Sequence, residues 1–226
     1  MNSFINIIIL ILCVPAFVLA IFVGNDLQFE FLKMDAREIP ILNEIFGGFA
    51  IAFLLISARR SFQRWTGVFI LSKQKRFVLN EKIDSKRNQR VIIYNILESA
   101  VYSFLAYAFL KNTELAYAPA YVMYFFAVES IVFLFFGVVF NKFRYGVSSK
   151  AVIVADREVR VLYFKGLKQI SINQLSVNFD YIGGLHLNFP LDCVKPEERE
   201  MFFNTIKGQV NADKVLFRNV KTKING

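Results

Sequence analysis

Four apolar runs, about 4–23, 39–58, 91–110 and 115–140, constrain this chain more than any other feature. A helix rises about 1.5 Å per residue, so about 20 residues cross a hydrocarbon core of about 30 Å. Each run is therefore long enough to span a bilayer. Between the second and third lies 59–90, which carries ten cations (Arg59, Arg60, Arg64, Lys73, Lys75, Arg76, Lys82, Lys86, Arg87 and Arg90) against Glu81 and Asp84. Such an excess of Lys and Arg beside a membrane segment marks a cytoplasmic loop. With that loop inside, four spans leave both termini in the cytoplasm and satisfy the charge bias at every loop.

Composition agrees. A mean hydropathy of +0.43 with 55% hydrophobic residues exceeds what an ordinary soluble domain carries. The formal net charge of +9 suggests nucleic acid at first sight. Apart from Lys33, Arg37 and Lys111, however, every cation lies in 59–90 or after residue 140. Insertion topology explains that segregation, so no nucleic-acid partner is expected.

The first run could be a cleaved signal peptide. No Lys or Arg precedes it, and it outlasts the usual apolar core of a leader, so it reads as a retained span, kinked at Pro15. The 24–38 loop holds Asp26, Glu30, Asp35 and Glu38 and suits the outer side. Gly47 and Gly48 mark a face of the second span that another helix can approach closely. Beyond it, Arg59 to Trp65 can carry the helix into the headgroup layer, with Trp65 as anchor. The runs 68–71 and 77–79 then read either as two short strands around a polar turn or as an amphipathic helix.

From 141 onward the chain is soluble in character. The segments 150–155 and 159–164 flank Asp156, Arg157 and Glu158 as a hairpin, and 167–172, 176–181 and 185–189 follow as strands. Pro196 then opens a helix with Glu197, Glu198 and Glu200 in its first turn, ending near Gly208. The expected fold is a four-helix transmembrane region over 1–140, a small α+β domain over 141–210, and a basic tail over 211–226. That domain is an antiparallel meander of about five strands closed by a C-terminal helix.

The Gly183-Gly184 turn and the run LHLNFPLDCVKPEEREMFFNTIK at 185–207 resemble the end of bacterial pleckstrin-homology-like domains carried on small multi-span membrane proteins. The likeness covers about 145–210. It implies a PH-like fold, a bacterial inner-membrane location and a binding or scaffolding role, and it fixes no ligand. It also implies seven strands where the pattern shows about five; the 68–79 segment, as a hairpin, is one source for the missing pair.

No clustered His, Cys or Asp constellation points to catalysis, so an enzyme, a metal or a cofactor is not expected. Ser171, His186 and Asp180 lack a nucleophile-elbow context, and Cys193 is a lone thiol with no activating base in sequence. Two acids fall inside the spans, Glu98 about 10 Å and Glu129 about 16 Å from the cytoplasmic ends of their helices. Charged groups at such depth are costly and suggest function. With Tyr94, Asn95, Ser99 and Tyr102 nearby, they fit a small proton- or cation-coupled carrier. They also fit hydrogen-bonded glue between helices, the commoner role; no Lys, Arg or His falls inside the spans as drawn. The remaining candidates form a lipid-facing set: Arg59, Arg60, Arg64, Trp65, Lys73, Lys75 and Arg76, with Lys214 and Arg218 in the tail, each cation gaining about 1 kcal/mol near an anionic leaflet. The expected function is thus a membrane binding, scaffolding or regulatory protein whose domain engages membrane lipids, a protein partner or a second copy.

Overall fold

The structure is a computed structural model that describes residues 2–29, 34–173, 176–210 and 215–218. The chain divides into two compact units, Met1–Phe62 with Tyr94–Leu134, and Gln63–Ile93 with Phe135–Gly226.

The first unit holds α1 (Asn2–Gly24) and the greater part of α2 (Leu42–Ser72), α3 (Ser85–Asn112) and α4 (Tyr117–Val139), whose residues 63–72, 85–93 and 135–139 fall in the second. All four are long and apolar enough to cross a membrane. A two-residue antiparallel pair, β1 (Gln28–Phe29) and β2 (Met34–Asp35), lies between α1 and α2. Small residues let the helix backbones close up: Ala16, Ala20, Ala106, Ala116 and Ala120 are fully buried among Phe46, Phe53, Phe109 and Met123. Outward faces are no more polar. Ile93, Leu97, Val101 and Phe104 on α3, and Tyr121, Phe125, Val128 and Val132 on α4, are exposed at helical spacing. A helix apolar on every side is what a lipid solvent selects.

The expected loop over 59–90 is corrected. α2 runs on to Ser72 and α3 starts at Ser85, so only 73–84 joins them. The segment 68–71 is the last turn of α2, not a strand. Arg59, Arg60 and Arg64 are good helix formers, and no proline interrupts 59–72, so nothing local ends the helix at the lipid boundary.

The second unit takes its first strand from that short connection. β3 (Leu79–Lys82) pairs antiparallel with β4 (Arg144–Val147), Leu79 opposite Val147 and Lys82 opposite Arg144. β5 (Ala151–Ala155) and β6 (Val159–Tyr163) complete a sheet ordered β3-β4-β5-β6. β7 (Leu167–Ile172), β8 (Ser176–Tyr181) and β9 (His186–Pro190) form a second antiparallel run, with β10 (Leu216–Arg218) added parallel to β7. Among the described residues the meander therefore has seven strands rather than about five. Its extra members are β4 and a single strand from the α2–α3 connection, where a hairpin over 68–79 was one expectation.

Helix α5 (Arg199–Gln209) follows two short 3-10 turns, Leu191–Cys193 and Pro196–Glu198. Its Phe202 stacks on Phe189 with centroids 5.1 Å apart and meets Tyr145 edge-on at 5.7 Å. Phe179, Phe189, Phe202 and Phe203 are at most 1% exposed. Burying each contributes about 1.5–3 kcal/mol, which makes α5 part of this unit's core.

Candidate functional site

The inward face of α2 sets the position of the charged site. Phe53, Ser57, Arg60, Arg64, Val68 and Leu71 recur every three or four residues and all are buried. Arg60 and Arg64 are thus core residues, 2% and 3% exposed. This corrects their placement among side chains offered to lipid headgroups. The physical reason is helical phase: both share a stripe with Phe53 and Leu71, while Arg59 is turned outward and exposed.

Within the helical unit, Arg60 Nη2 is ion-paired with Glu98 Oε2 on α3, the two side chains 3% and 9% exposed. The Tyr102 hydroxyl lies beside the same guanidinium. On α4, the Ser130 hydroxyl donates to Glu98 Oε1 at 3.1 Å. Ser61 on α2 donates to Glu129 Oε1 at 2.7 Å, and Ser99 on α3 donates to the Ala127 carbonyl at 2.9 Å. α2, α3 and α4 are therefore tied together by one belt of polar contacts inside an otherwise apolar bundle.

The sequence-predicted residues divide accordingly. Glu98 and Tyr102 come together at Arg60, Ser99 bonds the Ala127 carbonyl and Asn95 is buried, whereas Tyr94 is 50% exposed. Arg60 is Glu98's ion-pair partner, and a second span that ends at residue 58 hides it. Guanidinium keeps its proton in proteins, so it matches the Glu98 carboxylate charge for charge.

A second polar cluster lies in the sheet unit. Arg87, in the first turn of α3, donates to Asp156 Oδ2 from Nε at 2.8 Å and from Nη2 at 2.7 Å. Its Nη1 reaches Asp192 Oδ2 at 3.3 Å, and Arg90 Nη1 reaches the same oxygen at 3.0 Å. Asp156 is 1% exposed and also caps its own turn by accepting from the Glu158 amide at 2.9 Å. The Asp84 amide donates to the Cys193 carbonyl at 3.0 Å, closing the cluster on the backbone side. Burial, and then Asp156, push the Cys193 thiol well above its ordinary value, so no reactive thiolate forms.

Trp65 packs on Phe69 and Phe136 at 5.9 and 5.4 Å between ring centroids. Lys73, Lys75, Arg76 and Arg218 are exposed; Lys214 and the tail beyond Arg218 lie outside the described residues. His186 Nδ1 is 2.6 Å from Asp180 Oδ1 on an exposed hairpin, and the β7–β8 register sets Ser171 opposite Asn178. Among the described residues, no three His, Cys, Asp or Glu side chains gather into a metal-binding group.

Comparison of the chain with protein-family models, with curated proteins and with solved structures finds no match.

Proposed function

We propose that the chain is a binding or scaffolding protein of the bacterial inner membrane. Its four helices act as an anchor with both termini in the cytoplasm, and its sheet unit, a PH-like domain, is the working part. The observation that carries this reading is the way the sheet unit incorporates helix ends. β3, supplied between α2 and α3, completes the first sheet, and Arg87 and Arg90 at the start of α3 hold Asp156 and Asp192 of the strand-bearing region. A domain tethered only by a flexible linker needs none of these contacts. The seven-strand meander followed by α5 is also the order of elements that the pleckstrin-homology resemblance implies.

The carrier alternative loses support at Glu98. A carboxylate matched to a permanent cation has no charge left to recruit a proton or metal cation, and the Arg60–Glu98 pair reads as bundle glue. The deciding experiment is reconstitution of the full chain alongside its purification from native membranes in mild detergent. The expected result is a stoichiometric protein partner or retained anionic lipid, with no proton or potassium flux in proteoliposomes. A flux abolished by Glu98→Gln or Glu129→Gln, with nothing co-purifying, would overturn the proposal.

A further inference from the structure

Two turns meet at one end of the sheet unit and leave a basic-rimmed apolar tip. The β8–β9 hairpin turns through Gly183 and Gly184, at φ +95° and +81°, a backbone that residues with a Cβ rarely adopt. This turn presents Ile182 and Leu185, 77% and 53% exposed. The Ile182 amide donates to the Gly166 carbonyl at 2.8 Å, which docks the hairpin against the β6–β7 turn. Between them lies a concavity of about 550 Å³, lined by Phe164, Leu167 and Val210 and flanked by Lys165 and Lys168. Both lysines are exposed, and among the described residues none of the lining side chains is acidic. The acid on the adjoining strand, Asp180, is held by His186.

The apolar lining and its two lysines decide what can occupy the tip, which stands apart from the Arg87 clamp within the unit. Arg87 and Arg90 of α3 grip the Asp156 turn, where β6 begins, and Asp192, just past the end of β9. The tip lies at the other end of both strands. Five residues of strand advance about 16 Å, so the tip is displaced by about that distance from the Arg87 and Arg90 contacts. Ile182, at the lining of the concavity, and Leu185 beside it also present more apolar surface than a small anion could cover.

We infer that this tip docks an acidic segment of a protein partner, seating an apolar side chain in the concavity while its carboxylates meet Lys165 and Lys168. The inference rests on the binding-protein reading above and names the surface and the chemistry of the partner. Apolar anchors with a charged rim are the usual division of labour in such contacts: the anchor gives affinity, and the rim gives selection and rate.

The test uses the full chain in native membranes, with a benzophenone photo-crosslinker at position 182 and, in a parallel chain, at exposed Asn204 on α5. The expected product at 182 joins a protein through a peptide rich in Asp and Glu. Its yield should fall about fivefold or more in Lys165→Glu/Lys168→Glu, while Cys193 stays protected from thiol reagents as proof of folding. Crosslinks at 182 to phospholipid, to a second copy of the chain or to a peptide without acids would overturn the inference. So would an absence of product at 182, or a yield indifferent to the charge reversal. A partner captured at 204 or co-purified while 182 stays silent would sink the tip alone; no partner by any route would sink the scaffold reading with it.

Discussion

Arg60 on α2 and Glu98 on α3 are ion-paired inside a bundle whose four helices are long enough and apolar enough to cross a membrane. Removing one member leaves the other charged, buried and unmatched, which costs about 3–5 kcal/mol for a buried pair. Removing both leaves an apolar contact of similar volume. Arg60→Met and Glu98→Gln should therefore each lower the unfolding midpoint of the detergent-solubilised chain sharply. Arg60→Met/Glu98→Met should recover most of the loss. A double variant no better than either single one would mean that the pair contributes little and that the sites matter for another reason.

The Arg87–Asp156 contact calls for a gentler substitution. Asp156→Asn keeps the acceptor that closes the turn with the Glu158 amide and puts an amide NH2 where the carboxylate oxygen faced Arg87, removing both charge and acceptor there. Arg87 is 22% exposed, so water relieves part of the loss, and about 2–3 kcal/mol is expected. The signature is local: in hydrogen exchange, amides in the first turns of α3 should lose protection well before those of β7 and β8. Uniform loss across the sheet unit would contradict the clamp.

Much of this architecture was legible in the residues, and the parts that were not have identifiable causes. The four helices long and apolar enough to cross a membrane follow from apolar length alone, and β5 to β9 follow from alternation between strong turn signals. β4 escaped notice because Arg144-Tyr145-Gly146-Val147 is short, with a cation and a glycine in a run that shows little alternation. Its partner β3 reads Leu-Asn-Glu-Lys, with one apolar residue in four, and lies more than sixty positions earlier. Pairing of that range leaves no local trace. Arg60 shows a different failure. By segment, ten cations signal a loop; by helical phase, Phe53, Ser57, Arg60 and Arg64 fall on one stripe. The polar residues of α3 could be listed from sequence, but which of them would meet Arg60 depended on where α2 ended.

Alkaline pH should weaken the sheet unit over two identifiable ranges. The Cys193 thiol is raised by burial and then by Asp156; the Tyr145 phenol is raised by burial and then by its hydrogen bond to Glu198, 2.8 Å away. In both, the folded state holds a proton that the unfolded chain releases more readily. Their stabilisation is complete below the unfolded values, about 8.5 for Cys and about 10 for Tyr, and declines as pH rises past each. Denaturant midpoints for the full chain should be flat with respect to these two groups near neutrality, then fall above about pH 8.5 and more steeply above about pH 10. Cys193→Ala should remove the first decline and Tyr145→Phe the second. An alkaline profile unchanged in both variants would show that neither group governs it.

Two glycines with the same substitution should move stability in opposite directions. A Cβ on Gly137 of α4 would sit 2.0 Å from Phe143 Cζ and within 2.4 Å of two further ring atoms. Phe143 is 2% exposed and its ring cannot fold aside. The helix propensity gained by alanine, about 1 kcal/mol at most, is outweighed by overpacking of about 1–3 kcal/mol. Gly208 in α5 has nothing within 4 Å of a Cβ and no positive φ, so there alanine mainly narrows the unfolded ensemble, and a gain of about 0.4–1 kcal/mol is expected. Gly137→Ala should thus lower the unfolding midpoint and Gly208→Ala raise it. Because 137 and 208 lie in the same compact unit, one denaturation probe reads both, and a stabilising Gly137→Ala would mean that α4 and Phe143 do not approach as closely as this fold has them.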